Sequence, residues 1–187
     1  MLKRVLVSGA LGGVVLLAWT FVTNAVFGFT QRVEMKQVSN ERAVYAVLKE
    51  NVVEAGAYLV NPALTPEGRY PDGEPVFSVH YAGFGHEAAG RLVFFLPILL
   101  LAASILASWL LSMASPRVLA RYAHRVLFVV VIGVVLALFG DLPKYGIGDY
   151  PAAPALLIAA NHVLSWALAG LVIAWPMRAP RDAVGAA

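Results

Sequence analysis

The polar side chains inside otherwise apolar runs are the residues in this sequence best able to do chemistry. His162 stands with Asn161 and Ser165 in one long apolar run, and Thr20 and Asn24 lie four residues apart in another. A polar group in a hydrocarbon layer is energetically expensive, so such a group needs a partner or a function. We therefore expect His162 to point towards Asn24 or Thr20, with all five residues forming one candidate ligand-binding cluster.

Three interpretations of this cluster remain open from the sequence. It can be a set of hydrogen bonds between helices that fixes their packing. It can bind a ligand, a quinone or a proton, because an imidazole exchanges protons near neutral pH. His162 can also ligate a metal or a haem, but a bis-histidine haem needs a second histidine at the same depth, and His124 is expected at the opposite end of the helices. We therefore expect no cofactor.

The other histidines and carboxylates are expected to be solvated. These residues fall in or beside predicted loops on one side of the membrane, and their spacing matches no metal motif. They are His80, His86, Glu87, Asp141 and Asp149. We therefore expect no metal site. The chain contains no cysteine, which excludes disulfides and thiol nucleophiles, and it shows no nucleophile elbow or phosphate-binding glycine loop. The sequence favours a protein that is not an enzyme.

The composition is that of a protein whose solvent is largely lipid. Hydrophobic residues make up 60% of the chain and charged residues 13%, against about 25% charged residues in a soluble domain. A membrane-spanning helix needs about 20 apolar residues. The sequence predicts an all-α membrane protein, a four-helix transmembrane bundle with spans at about 5–29, 92–113, 122–140 and 153–177.

Two of the predicted spans carry features that need explanation. The third apolar run is short, so its helix must begin near Tyr122, and we expect Arg121 and Arg125 to extend to the lipid headgroups from its end. In the first helix Gly9 and Gly13 are spaced as a small-xxx-small pair. Small residues let helices approach closely. They predict packing within the bundle or, alternatively, a homo-oligomer.

The distribution of basic residues predicts the orientation. Cytoplasmic loops of membrane proteins are enriched in lysine and arginine. The N-terminus, the connection between the second and third spans, and the C-terminus together hold seven basic residues and one acid, Asp182. Both termini are therefore expected in the cytoplasm, with the chain in a bacterial inner membrane. The seven basic residues are Lys3, Arg4, Arg117, Arg121, Arg125, Arg178 and Arg181.

The basic residues of the chain form no patch with interleaved aromatics, so no nucleic acid partner is expected.

The loop at 30–91 is long enough to fold on the outer, periplasmic side. Asn40 or Ser39 can cap a helix of about 39–54, whose apolar residues Val44, Val47 and Leu48 we expect to be buried. The chain at 57–60 is expected to be extended. A β-rich segment at 76–81 can pair with it, giving a small mixed α/β outer unit.

This loop also resembles a pattern in small bacterial membrane proteins of unassigned function. The segment 40–51 (NERAVYAVLKEN) is followed by Gly-Ala-Tyr at 56–58 and by Pro62, and Trp166 stands four residues before Gly170 in the last span. The resemblance implies a folded periplasmic element and no particular activity.

The sequence favours one function and leaves a second open. The first is a non-enzymatic accessory or assembly protein of the envelope, which contacts the lipid bilayer and another membrane or periplasmic protein. The alternative is a small-molecule binding or transport unit that uses the polar cluster around His162 in the outer half of the membrane.

Overall fold

The computed structural model describes residues 1–34, 36–83, 86–143 and 151–178. It is mostly helical and contains four helices long and apolar enough to cross a membrane, together with a small two-stranded sheet. The four candidate spans are Leu2–Val26, Phe94–Ser112, Tyr122–Asp141 and Ala152–Ile173.

The elements follow one another in a simple order. Two of the long helices, Leu2–Phe21 and Tyr122–Leu136, are each followed by a π-helical segment, Val22–Val26 and Ala137–Asp141 respectively, and a further π-helical turn lies at Thr30–Glu34. In chain order the elements are α1 Leu2–Phe21, α2 Glu41–Asn51, β1 Gly56–Val60, β2 Phe77–Tyr81, α3 His86–Ser112, α4 Pro116–Ala120, α5 Tyr122–Leu136 and α6 Ala152–Ile173.

The long helices alternate in direction. Helix α1 packs against α3 and α6, and α6 packs against α5. We call the two ends of this bundle the Asp141 end and the Arg125 end, after the residues of the third span that lie there. The apolar core runs between the helices and includes Leu111, Val129 and Ile173, which are fully buried.

Glycines allow α1 to approach its neighbours closely. A Cβ atom added at Gly9 would lie 2.5 Å from the Cα of Ile105, and one at Gly12 would lie 2.3 Å from the Oγ of Ser104. Such distances leave no room for any side chain. The small residues therefore serve packing within the bundle, as one of the two interpretations of the sequence predicted.

Arg125 is buried, which differs from its predicted extension to the headgroups. Its side chain is 4% exposed, its Nε–H donates to the carbonyl of Ala174 at 2.9 Å, and one terminal nitrogen donates to the carbonyl of Leu119. Its guanidinium also lies over the ring of Tyr122, whose hydroxyl donates to Leu171. The carbonyls at the end of α6 lack helical partners, and they attract this cation inward.

The outer unit contains the predicted helix and hairpin. The side chain of Asn40 accepts a hydrogen bond from the backbone N–H of Ala43, which caps the start of α2. Strands β1 and β2 are antiparallel, with Gly56 opposite Tyr81 and Val60 opposite Phe77. The helix is shorter than the predicted 39–54.

The burial predicted for the apolar residues of α2 is wrong for two of three residues. Val44 is 41% exposed and Val47 is 60% exposed, whereas Leu48 is partly buried. Leu48 faces a groove that α2 shares with the hairpin, whereas Val44 and Val47 do not line it. Because Val47 is exposed, its replacement by aspartate would neither bury a charge nor remove a packed side chain.

Candidate functional site

His162 is paired with a carboxylate that the sequence analysis had placed in solvent. Its Nδ1 lies 2.6 Å from the Oδ2 of Asp141. Asp141 is the last residue of the π-helical segment after α5, and it is only 4% exposed. The buried position is a correction, because an aspartate at the end of an apolar run was expected to face water.

The predicted partners of His162 form hydrogen bonds elsewhere. The amide of Asn24 donates to the backbone carbonyl of Thr20 at 3.0 Å, and its oxygen accepts from the Thr30 hydroxyl at 2.6 Å. Asn24 therefore stabilises the turn that follows α1. Thr20 contributes its carbonyl to this turn, so the structure gives His162 a partner different from either predicted residue.

Asn161 and Ser165 do lie beside His162, and Asn161 connects α6 to α1. The indole N–H of Trp19 donates to the Oδ1 of Asn161 at 2.9 Å, and the Ser165 hydroxyl donates to the Asn161 carbonyl at 2.7 Å. The hydroxyl of Thr23 donates to the Trp19 carbonyl at 3.0 Å. The sequence analysis missed Trp19 as a polar partner, although its single donor always needs an acceptor when it is buried.

His162 is half exposed on a largely buried face of α6. Residues one turn away on the same face of α6 are buried on both sides, Ile158 and Ala159 before it and Ser165 and Trp166 after it. The side chain of His162 is nevertheless 47% exposed. His162 therefore stands on an otherwise buried face of α6, and its ring is half exposed there.

The pair has a defined hydrogen-bonding polarity. When the carboxylate is ionised and the imidazole is neutral, the carboxylate only accepts, so the imidazole carries its proton on Nδ1 and leaves Nε2 as an acceptor. A carboxylate in this position fixes both the tautomer and the orientation of the ring, as in histidines that act as ligands or bases. Nε2 has no hydrogen-bond partner among the described residues. The arrangement can accept a proton or a hydrogen bond from a ligand.

Irregular helix geometry is concentrated at this end of the bundle. The π-helical segment that carries Asp141 and the π-helical turn Thr30–Glu34 both contact α6, and the segment Val22–Val26 follows α1. Insertions of this kind are frequent at functional sites because they redirect side chains out of the regular helix pattern. Here the segment after α5 turns a carboxylate towards α6.

A protein-held metal is not supported by the residues that the structure describes. Among them, no group of three or more histidine, cysteine, aspartate or glutamate side chains could hold an ion. His162 and Asp141 provide two ligands, whereas a catalytic zinc site has three from the protein.

The fold and the site define a class, a mostly helical protein with four helices long and apolar enough to span a membrane and a carboxylate–histidine pair at one end of its bundle. In comparisons with protein families, curated proteins and solved structures, no match to this chain was found.

Proposed function

We propose that this protein is a non-enzymatic membrane protein that binds a small molecule at the Asp141 end of its helices. The observation that supports the proposal is the half-exposed imidazole of His162 held by the buried carboxylate of Asp141. An ionisable pair inside a membrane span marks a functional site more often than a structural one. Of the two functions considered from the sequence, this is the one that the geometry favours.

The chemistry of the ligand follows from the free nitrogen. Nε2 of His162 accepts, so the ligand presents an O–H or N–H group to it, and the simplest such ligand is a proton. The π-helical segment that carries Asp141 also has two exposed apolar side chains, Leu138 and Phe139. A ligand with a polar group on an apolar body matches both parts of this surface.

The proposal also includes a location. We place the protein in a bacterial cytoplasmic membrane with both termini in the cytoplasm, because the basic residues cluster on the Arg125 side of the bundle. The Asp141 end and the outer unit then face the periplasm. A ligand would reach His162 from the periplasm or from the outer half of the bilayer.

A second candidate function is that of an accessory or assembly protein. Its support is the exposed apolar surface of α2, where Val44, Tyr45 and Val47 are between 41% and 65% exposed. A contiguous apolar patch outside the membrane is characteristic of interaction sites. The partner would be another membrane or periplasmic protein, or a second copy of this chain.

One purification tests both candidates. The chain is excised from its native membrane in polymer-bounded lipid discs, and bound small molecules and proteins are identified by mass spectrometry. We expect a small molecule with the wild-type chain, and its loss with His162→Gln, because glutamine fills a similar volume without the ring nitrogen. His124→Gln, at the exposed other end of the bundle, is the matched control and should retain the molecule.

The same data would contradict the proposal in a recognisable way. If all three chains carry the same small molecules, His162 does not hold a ligand. A stoichiometric protein partner that is lost with Val47→Asp, with no change in small molecules on His162→Gln, would favour the accessory function instead.

A further inference from the structure

A second concave surface lies in the outer unit, remote in sequence from His162. It is an open groove of about 690 Å³ between α2 and the hairpin. Small-molecule sites usually measure roughly 300–1,000 Å³. The residues that line it are Tyr45, Leu48, Lys49, Val52, Val53, Val79, His80, Tyr81 and Gly83.

The walls of the groove come from one face of each element. Tyr45, Leu48 and Val52 recur at helical spacing on α2, and Val79 and Tyr81 alternate on β2. Leu48, Val52, Val79 and Tyr81 are all partly buried. The result is a groove with apolar walls and an aromatic side chain on each side.

The charged groups of the groove have one sign. The ammonium group is that of Lys49, and none of the described lining residues is a carboxylate. The acids of α2, Glu41 and Glu50, lie outside the lining. An apolar groove with a single cationic group is complementary to a molecule that has an apolar chain and one anionic head.

The groove is also close enough to the bundle to receive such a molecule from a membrane. The π-helical turn Thr30–Glu34 contacts α6, so the chain before the outer unit is held at the bundle. From Glu34 to the start of α2 at Glu41 the chain spans at most about 25 Å. We propose that this groove binds a fatty acid, with its acyl chain between α2 and β2 and its carboxylate at Lys49.

A photoreactive fatty acid tests the proposal on the full chain in lipid discs. The probe is a long-chain carboxylic acid with a diazirine in its chain, and the matched probe is the corresponding alcohol. After irradiation, labelled peptides are mapped by mass spectrometry. Labelling of the membrane helices serves as the internal standard, because both probes dissolve in the bilayer.

We expect the acid to label the segments of α2 and β2, and the alcohol to label them less. Lys49→Gln should reduce labelling of the groove by the acid about two- to fivefold, the effect of one partly exposed ion pair. Labelling of the membrane helices should stay unchanged, which also shows that the variant is folded. Lys36→Gln, outside the groove, should have no effect.

Two results would overturn the proposal. One is labelling confined to the membrane helices. The other is labelling of the groove that is equal for acid and alcohol and insensitive to Lys49→Gln. Neither result bears on His162, so this test fails or succeeds independently of the function proposed above.

Discussion

Replacement of Arg125 by alanine is expected to destabilise the protein by about 2–4 kcal/mol. A hydrogen bond from a charged group contributes about 1.5–3 kcal/mol, and Arg125 donates to the carbonyls of both Ala174 and Leu119. Alanine would deprive these carbonyls of their donor. It would also create a cavity beside Tyr122. Lysine would not restore the contacts, because a single ammonium lacks the planar fork of the guanidinium.

Unfolding in mild detergent, followed by tryptophan fluorescence, measures this effect. Arg121→Ala is the matched control, since Arg121 is an exposed arginine four residues earlier. Its substitution should change the free energy of unfolding by less than about 0.5 kcal/mol. Equal stabilities for the two variants would mean that Arg125 extends to the headgroups after all.

The second large effect is expected at Gly9. Its substitution by alanine places a methyl group 2.5 Å from the backbone of Ile105, and a backbone atom cannot rotate away as a side chain does. Helices α1 and α3 would have to separate, at a cost of about 1–3 kcal/mol. Valine at the same position should cost more.

The matched control for Gly9→Ala is Gly140→Ala. An added Cβ at Gly140 would meet no atom of the other described elements within 4 Å, so this variant should unfold at the temperature of the wild-type protein. Thermal unfolding of both variants in the same lipid discs provides the comparison. A wild-type melting temperature for Gly9→Ala would show that α1 and α3 are less closely packed than described here.

The elements that could be predicted from the sequence are those set by local chemistry. Long apolar runs predict the spans because lipid permits little else. The cap at Asn40 and the β-rich segment near Val79 predict α2 and the hairpin, since capping and strand propensity act within a few residues.

The partners of the site residues depend on how helices face each other, which spacing does not determine. The π-helical segment that ends at Asp141 turns this residue towards α6. No residue in the apolar run indicates that the helix becomes π-helical there. His162 was recognised as a polar residue that needs a partner, but the partner came from a different helix than expected. Arg125 was misplaced for a similar reason, because the carbonyls at the end of α6 compete with the headgroups for its charge.

The central claim is that Asp141 presents the Nε2 atom of His162 as a free acceptor. Solid-state NMR of ¹⁵N-histidine-labelled protein in lipid discs, at alkaline pH where imidazoles are neutral, tests it most directly. The His162 signals are assigned by their loss in His162→Gln. We predict that the wild-type ring carries its proton on Nδ1, and that Asp141→Leu abolishes this preference while the other histidines are unaffected. A wild-type His162 protonated on Nε2, or a tautomer unchanged in Asp141→Leu, would contradict the account.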